Sequence, residues 1–257
     1  MTMIAKVREW LETQGYSLEM KAASAFRAVG FEVRQSSYYT DTETNKPREI
    51  DVQAMYRSPL GLVDVRFFIE CKSGSKPWVL FSSVDTLKDY NRLSAFGAMS
   101  KHARELFSTP GGIHHLLEKY PWFRKDDVIA AYSMRQAFGK EVDSAYVAAM
   151  SATNACHHHV TEDKSRYPRL NFAFPVIAVD TSLILCFLDE NGAVQLREVK
   201  EGDFLFSGHA LGTCIHIVTL RSLPVFAQRA KTVAEMLTID LRNEEKKMFD
   251  AMKPRSG

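Results

Sequence analysis

A strand-like run ending Phe67-Phe68-Ile69-Glu70-Cys71-Lys72 carries a carboxylate and an ammonium two residues apart. Side chains alternate along a strand, so Glu70 and Lys72 share one face, about 7 Å apart, while Val65, Phe67, Ile69 and Cys71 take the other. In the preceding run, Ile50, Val52 and Ala54 fall on one face and Asp51 and Gln53 on the opposite one. If the two runs pair as a hairpin with their apolar sides together, Asp51 lies beside Glu70. Adjacent carboxylates repel unless a cation lies between them, and oxygen donors of this kind suit Mg²⁺ or Mn²⁺ rather than zinc. A third acid, Glu19, sits in a helical run nearly in line with Phe26, at the edge of the stripe that faces the sheet. Glu12 and Glu32 lack that placement.

The chemistry open to this set is metal-assisted hydrolysis of a phosphate ester. The metal would polarise the phosphate and lower the pKa of a bound water. Lys72 would orient the attacking water or stabilise charge developing in the transition state, and no covalent intermediate is required. Glu-x-Lys by itself is unspecific. The weight comes from order: a helix with Glu19, a strand, a strand with Asp51, and a strand ending Glu70-Cys71-Lys72. The plain alternative is an αβββ sheet with salt bridges at its rim.

These side chains depend on elements that the sequence also outlines. Ile4, Val7, Trp10 and Leu11 recur at helical spacing and predict a short opening helix ending near Gly15. Ser17 has the chemistry to cap a second helix over residues 18–29, stopped by Gly30. Residues 31–39, 50–56 and 63–72 read as strands, separated by a polar turn and by the Pro59–Gly61 turn. Helical periodicity covers residues 84–107, ended by Pro110-Gly111-Gly112, and the pattern stays mostly helical over residues 112–159. Within it, the Ala-rich stretches 130–138 and 144–155 read as helix, although a short strand at 128–133 would look similar. Strands return at 173–179, 183–188, 193–199 and 213–220, and Asn191-Gly192 marks a hairpin because both residues tolerate positive φ. Pro224 opens a closing helix to about residue 252, with a charged, solvent-facing end. No repeat, low-complexity stretch or linker divides the chain, so residues 1–257 are expected to form one elaborated domain. Its parts are a core segment at 16–72, a mostly helical insertion or layer at 84–160, and further strands with a closing helix at 172–252.

The ordered set resembles the PD-(D/E)xK nuclease superfamily, the restriction-endonuclease-like fold. That core is αβββαβ, with an Asp on the second strand, Glu-x-Lys on the third and often a Glu on the first helix. The resemblance covers residues 16–72 and departs from the family signature at Ile50-Asp51, where Pro-Asp names the motif. It implies an α/β fold with a mixed sheet, a helical insertion and added C-terminal strands and helix. Asp51, Glu70 and Glu19 would handle Mg²⁺ (or Mn²⁺), with the Cys71 backbone carbonyl as a further ligand and Lys72 as the catalytic lysine. Residues 84–107 would supply the core's second helix, and 173–179 its fourth strand. The implied activity is hydrolysis of nucleic-acid phosphodiesters, DNA favoured over RNA. The alternative is a nuclease fold used for nucleic-acid or partner binding or sensing.

Other signals are weaker. Cys156-His157-His158-His159 holds possible zinc ligands, yet consecutive helical residues point 100° apart, so a solvated helix end is the expectation. His114-His115 has the same weakness. Ser73-Gly74-Ser75-Lys76 follows the third strand as a turn able to touch a nucleic-acid backbone, and no complete Walker pattern is present. Lys88, Arg92, Lys101 and Arg104 form a solvated face or a phosphate track. Trp78 and Phe81 are expected in the core, with base stacking as the alternative.

Bulk properties set limits without deciding. Apolar residues make up 46% of the 257 and charged residues 25%, so a sizeable core needs no disulfide or structural metal. A net charge of +2 excludes a strongly basic nucleic-acid coat protein and leaves a locally basic enzyme open. Cys71, Cys156, Cys186 and Cys214 show no Cys-x-x-Cys pairing, which points to reduced thiols and a cytoplasmic location. Residues 1–14 lack a signal-peptide core, and the longest apolar run, 172–188, is cut by Pro175 and Asp180, so no membrane partner is expected. Homo-oligomerisation is left open.

Overall fold

The computed structural model describes residues 2–41, 44–88, 95, 97–108, 120, 130–139, 144–162, 168–207 and 213–253. The chain opens with α1 (Met3–Thr13) and α2 (Tyr16–Ala28), joined at Gly15, whose φ of 85° makes the sharp turn. Gly15, not Ser17, is the N-cap, and no side chain caps it; Ser17 lies inside the first turn. A meander follows: β1 (Glu32–Thr40), β2 (Pro47–Arg57) and β3 (Val63–Lys72), all antiparallel. Next come β4 (Trp78–Ser82), β5 (Ala98–Met99), α3 (Lys101–Ser108), β6 (Ala130–Gln136) and α4 (Ser144–Thr161). The C-terminal part holds β7 (Leu170–Val179), β8 (Leu183–Leu188), β9 (Val194–Val199), β10 (Glu201–Phe206) and β11 (Thr213–Thr219). A 3-10 turn then leads into α5 (Leu223–Asp240) and α6 (Arg242–Ala251).

The class is α/β with one mixed sheet, ordered β1-β2-β3-β7-β11-β10-β6-β4-β8-β9, and β5 attached to β7. β3 and β7 are parallel in unbroken register from Val63–Leu170 to Lys72–Val179. All ten residues of β7 are buried, as expected for a parallel strand covered on both faces. α2 and α5 cover one face, where Phe26, Phe67, Phe174 and Phe226 meet. α4 covers the other with an alanine stripe, Ala145, Ala148, Ala149, Ala152 and Ala155, all essentially inaccessible. Small side chains let this helix lie close to β3 and β7. Among the described residues no helix is long and apolar enough to cross a membrane. Cys71, Cys156 and Cys186 are free thiols.

Several expectations are corrected. Residues 84–107 do not form one helix: Ala98 and Met99 pair with β7, and α3 begins only at Lys101. Gly97 permits this, since a Cβ there would crowd the Phe174 ring. The helix between β3 and β7 that packs on them is α4. Residues 130–136 are a strand, not a helix. Of the added C-terminal strands, β11 pairs directly with β7 in the middle of the sheet. At the β8–β9 hairpin only Gly192 takes positive φ, and the Asp189 carboxylate holds the turn through the Asn191 and Ala193 amides. The closing helix breaks at the buried Leu241, and its charged end is not wholly in solvent. Glu245 is buried and accepts hydrogen bonds from Ser58 Oγ and the Leu62 amide (3.0 Å). His114, His115 and Arg92 lie outside the described residues.

Candidate active site

The β2–β3 ladder ends at Val52–Ile69, one step short of Asp51 and Glu70. Beyond that pair the strands part, and the Asp51 carboxylate fills the ladder's next place by accepting the Cys71 amide hydrogen at 2.6 Å. On the other side of β2, β1 pairs Gln35 with Val52 and Ser37 with Ile50. Ser36, between them, is held at φ 50°, a left-handed conformation that non-glycine residues adopt at an energetic cost. The strain therefore falls where β1 passes Asp51.

Glu70 is buried, and both its oxygens are engaged: Lys72 Nζ donates to Oε1 at 2.6 Å and Ser151 Oγ to Oε2 at 2.8 Å. Ser151 belongs to α4, and its own carbonyl accepts from Tyr39 Oη on β1 at 3.2 Å. Glu19, half-buried on the first turn of α2, completes the group. The four side chains named from the sequence thus come together from α2, β2 and β3.

Their electrostatics record the proximity. Burial, then the charge of Glu70, push Asp51 from the usual 3.8 to about 7; the Cys71 amide opposes this, Glu19 adds to it, and Lys72 offsets part. Glu19 is raised by burial and by Glu49 and Glu70, against the pull of Lys72. Burial disfavours the Lys72 ammonium, but the charge and hydrogen bond of Glu70 outweigh it and lift its pKa, so Lys72 stays protonated. The Cys71 thiol is held well above its ordinary range by burial and the surrounding acids, which excludes it as a thiolate.

Among the described residues no group of three or more His, Cys, Asp or Glu side chains is arranged to hold a metal ion. The acids feel one another's charge without being gathered at ligating distance. The donor chemistry fits a hard divalent cation at Asp51 and Glu70: all oxygen, with excess negative charge that a cation would relieve. The charge of Glu19 acts on Asp51 less strongly than that of Glu70.

The remaining signals fall elsewhere. In the turn after β3, the Gly74 amide donates to Asp180 Oδ1 at 3.0 Å, so it is not free to grip an anion. Trp78 is in the core. His158 and His159 are not a solvated helix end: their rings lie 6.2 Å from Tyr39 and 5.7 Å from Phe68. Sequence reasoning missed Ser151. Its signal was a hydroxyl set among the buried alanines of α4, at a position where a purely packing helix would carry another alanine.

Ser151→Ala is expected to lower stability by about 1–2 kcal/mol in urea unfolding at pH 8, because a buried carboxylate loses a donor. The same change in a Glu70→Gln background should cost about half as much or less. Equal costs in both backgrounds would show that the Ser151–Glu70 contact is not the cause.

The chain matches no protein-family model, no curated protein and no solved structure.

Proposed function

We propose that this protein is a divalent-metal-dependent nuclease of PD-(D/E)xK type, hydrolysing nucleic-acid phosphodiesters, with DNA preferred to RNA. The observation that carries the reading is the convergence of Glu19, Asp51, Glu70 and Lys72 where β2 and β3 part, with their mutual perturbation as its electrostatic trace. Support comes also from α2-β1-β2-β3 followed, after the intervening β4, β5, α3 and β6, by α4-β7, which gives an αβββαβ set in which β7 lies parallel to β3.

A bound Mg²⁺ or Mn²⁺, held by Asp51 and Glu70 with the Cys71 carbonyl as a further donor, would polarise the phosphate and acidify a coordinated water. The protein's own groups do the rest. Lys72, fixed as an ammonium, is a donor and not a base: it stabilises negative charge building on the phosphate oxygens. Glu70 aims that ammonium, and Ser151 keeps the Glu70 carboxylate from rotating. Glu19 accepts a hydrogen bond from the attacking water and orients it.

Cleavage of plasmid and single-stranded DNA with Mg²⁺ or Mn²⁺ tests this. Glu70→Ala and Lys72→Ala are each expected to lower the rate by about 10²-fold or more. Equal rates in wild type and both variants would remove the assignment. A second reading, a binding or sensing module with little hydrolysis, draws on the engagement of both Glu70 oxygens by protein donors. Magnesium titration separates the two: the enzyme binds the ion and loses it in Asp51→Ala, whereas the module ignores it.

A further inference from the structure

The β2–β3 hairpin has two ends. Glu70 and Lys72 stand where β3 finishes, whereas the Pro59–Gly61 turn closes the hairpin at its other end. That turn, together with α5 and α6, encloses a cavity of about 780 Å³. Leu60 of the turn, Ile239 of α5 and Phe249 of α6 line it and are 41%, 59% and 39% exposed. On α6 the lining residues Arg242, Lys246 and Phe249 are spaced i, i+4, i+7, which puts two cations and an aromatic ring on one face. Three acids also line the cavity, and each is already engaged. Glu235 pairs with Lys231 at 3.2 Å and Asp250 with Lys253 at 2.7 Å. Glu245 is buried and accepts from Ser58 Oγ and the Leu62 amide. Arg242 and Lys246 pair with no acid among the described residues, so the charge left facing water is positive. Asp250 registers that field: the hydrogen bond from Lys253, and then the charges of Lys253 and Lys246, hold its carboxyl below the usual range.

Exposed apolar side chains beside unpaired cations, all in one hollow, suit a ligand with a hydrocarbon body and an anionic head. Cavities of roughly 300–1,000 Å³ take single small molecules. A stable protein partner needs about 800 Å² on each side, which three apolar side chains around a hollow do not supply. We propose that the groove between the β2–β3 turn and α5–α6 binds an amphipathic organic anion of the fatty-acid class. Its chain lies against Leu60, Ile239 and Phe249, and its carboxylate lies on Arg242 and Lys246. The assignment goes beyond the nuclease reading and does not depend on it.

The test is isothermal titration calorimetry of the full chain with decanoate, using decanol and decyltrimethylammonium as controls. Wild type should bind decanoate at least about 5-fold more tightly than either control. The double variant Arg242→Gln/Lys246→Gln should lose that preference and keep its affinity for decanol. Leu60→Ala and Ile239→Ala should each weaken decanoate and decanol alike, by about 3–10-fold. All four side chains are exposed, so the variants keep the fold. Absence of decanoate binding to wild type overturns the proposal. Binding that survives unchanged in both the double variant and Ile239→Ala also overturns it, because the ligand then sits elsewhere. Equal affinity for decanoate and decyltrimethylammonium does the same, since the cations then play no part. Flotation with phosphatidylglycerol vesicles separates a free amphiphile from a membrane. Vesicle capture that the double variant loses, with no binding of decanoate, gives the groove to a lipid surface and overturns the proposal.

Discussion

Asp51→Asn is expected to make the metal-free protein more stable at pH 8 by about 2–4 kcal/mol. Burial and the charge of Glu70 raise the Asp51 pKa from the usual 3.8 to about 7. A carboxylate raised in this way binds its proton in the folded chain while the unfolded chain has released it. Stability from this group is therefore fully present below about pH 4, falls as pH rises towards 7, and is lost above that. The full span is on the order of 4 kcal/mol. An asparagine oxygen can still accept the Cys71 amide hydrogen but carries no charge to desolvate or repel. Urea unfolding in EDTA at pH 4 and pH 8 should show wild type and variant converging at the lower pH and diverging at the higher. An Asp51→Asn variant no more stable than wild type at pH 8 would mean that the charge is not strained in the folded state. Under the proposed function, added Mg²⁺ stabilises wild type alone and reverses the order.

Phe67→Ala should lower stability by about 3–5 kcal/mol. The Phe67 ring is wholly buried, stacked on Phe174 of β7 at 5.1 Å. It also meets Phe26 of α2 at 5.8 Å, Phe31 at 5.6 Å and Phe226 of α5 at 6.5 Å. Elements from both ends of the chain converge on this ring, so a cavity there cannot close by moving one neighbour. A loss below about 1.5 kcal/mol in urea unfolding would show that the surrounding rings collapse into the space.

The site was legible for a local reason. Alternation along β2 and β3 assigns faces residue by residue, and a short meander leaves few ways to pair them, so Asp51, Glu70 and Lys72 follow from spacing alone. Glu19 followed from helical phase. What lay beyond reach is non-local. After β3 the chain first builds β4 and β6 in the far half of the sheet, and only then returns through α4 and β7 beside β3. Periodicity finds amphipathic stretches but does not say which of them comes back, so residues 84–107 stood in for α4. β10 escaped notice because it starts Glu201-Gly202-Asp203, an unlikely strand by composition. A Cβ at Gly202 would press on Leu80 Cδ1 of β4, so a larger residue there needs that side chain to shift. Ser151 escaped because its partner, Glu70, is distant in sequence and near only after the helix has docked.

The ten-residue parallel register of β3 with β7 ties Val63 to Leu170. During synthesis, the strand that carries Glu70 and Lys72 has no inner neighbour until the chain has grown past residue 179. Closing so long a loop is entropically expensive, and a topology dominated by such contacts folds slowly. A ribosome stalled before that point would hold the acids and the lysine on an unsupported hairpin, so the acid–lysine centre is assembled only late in the chain's own production.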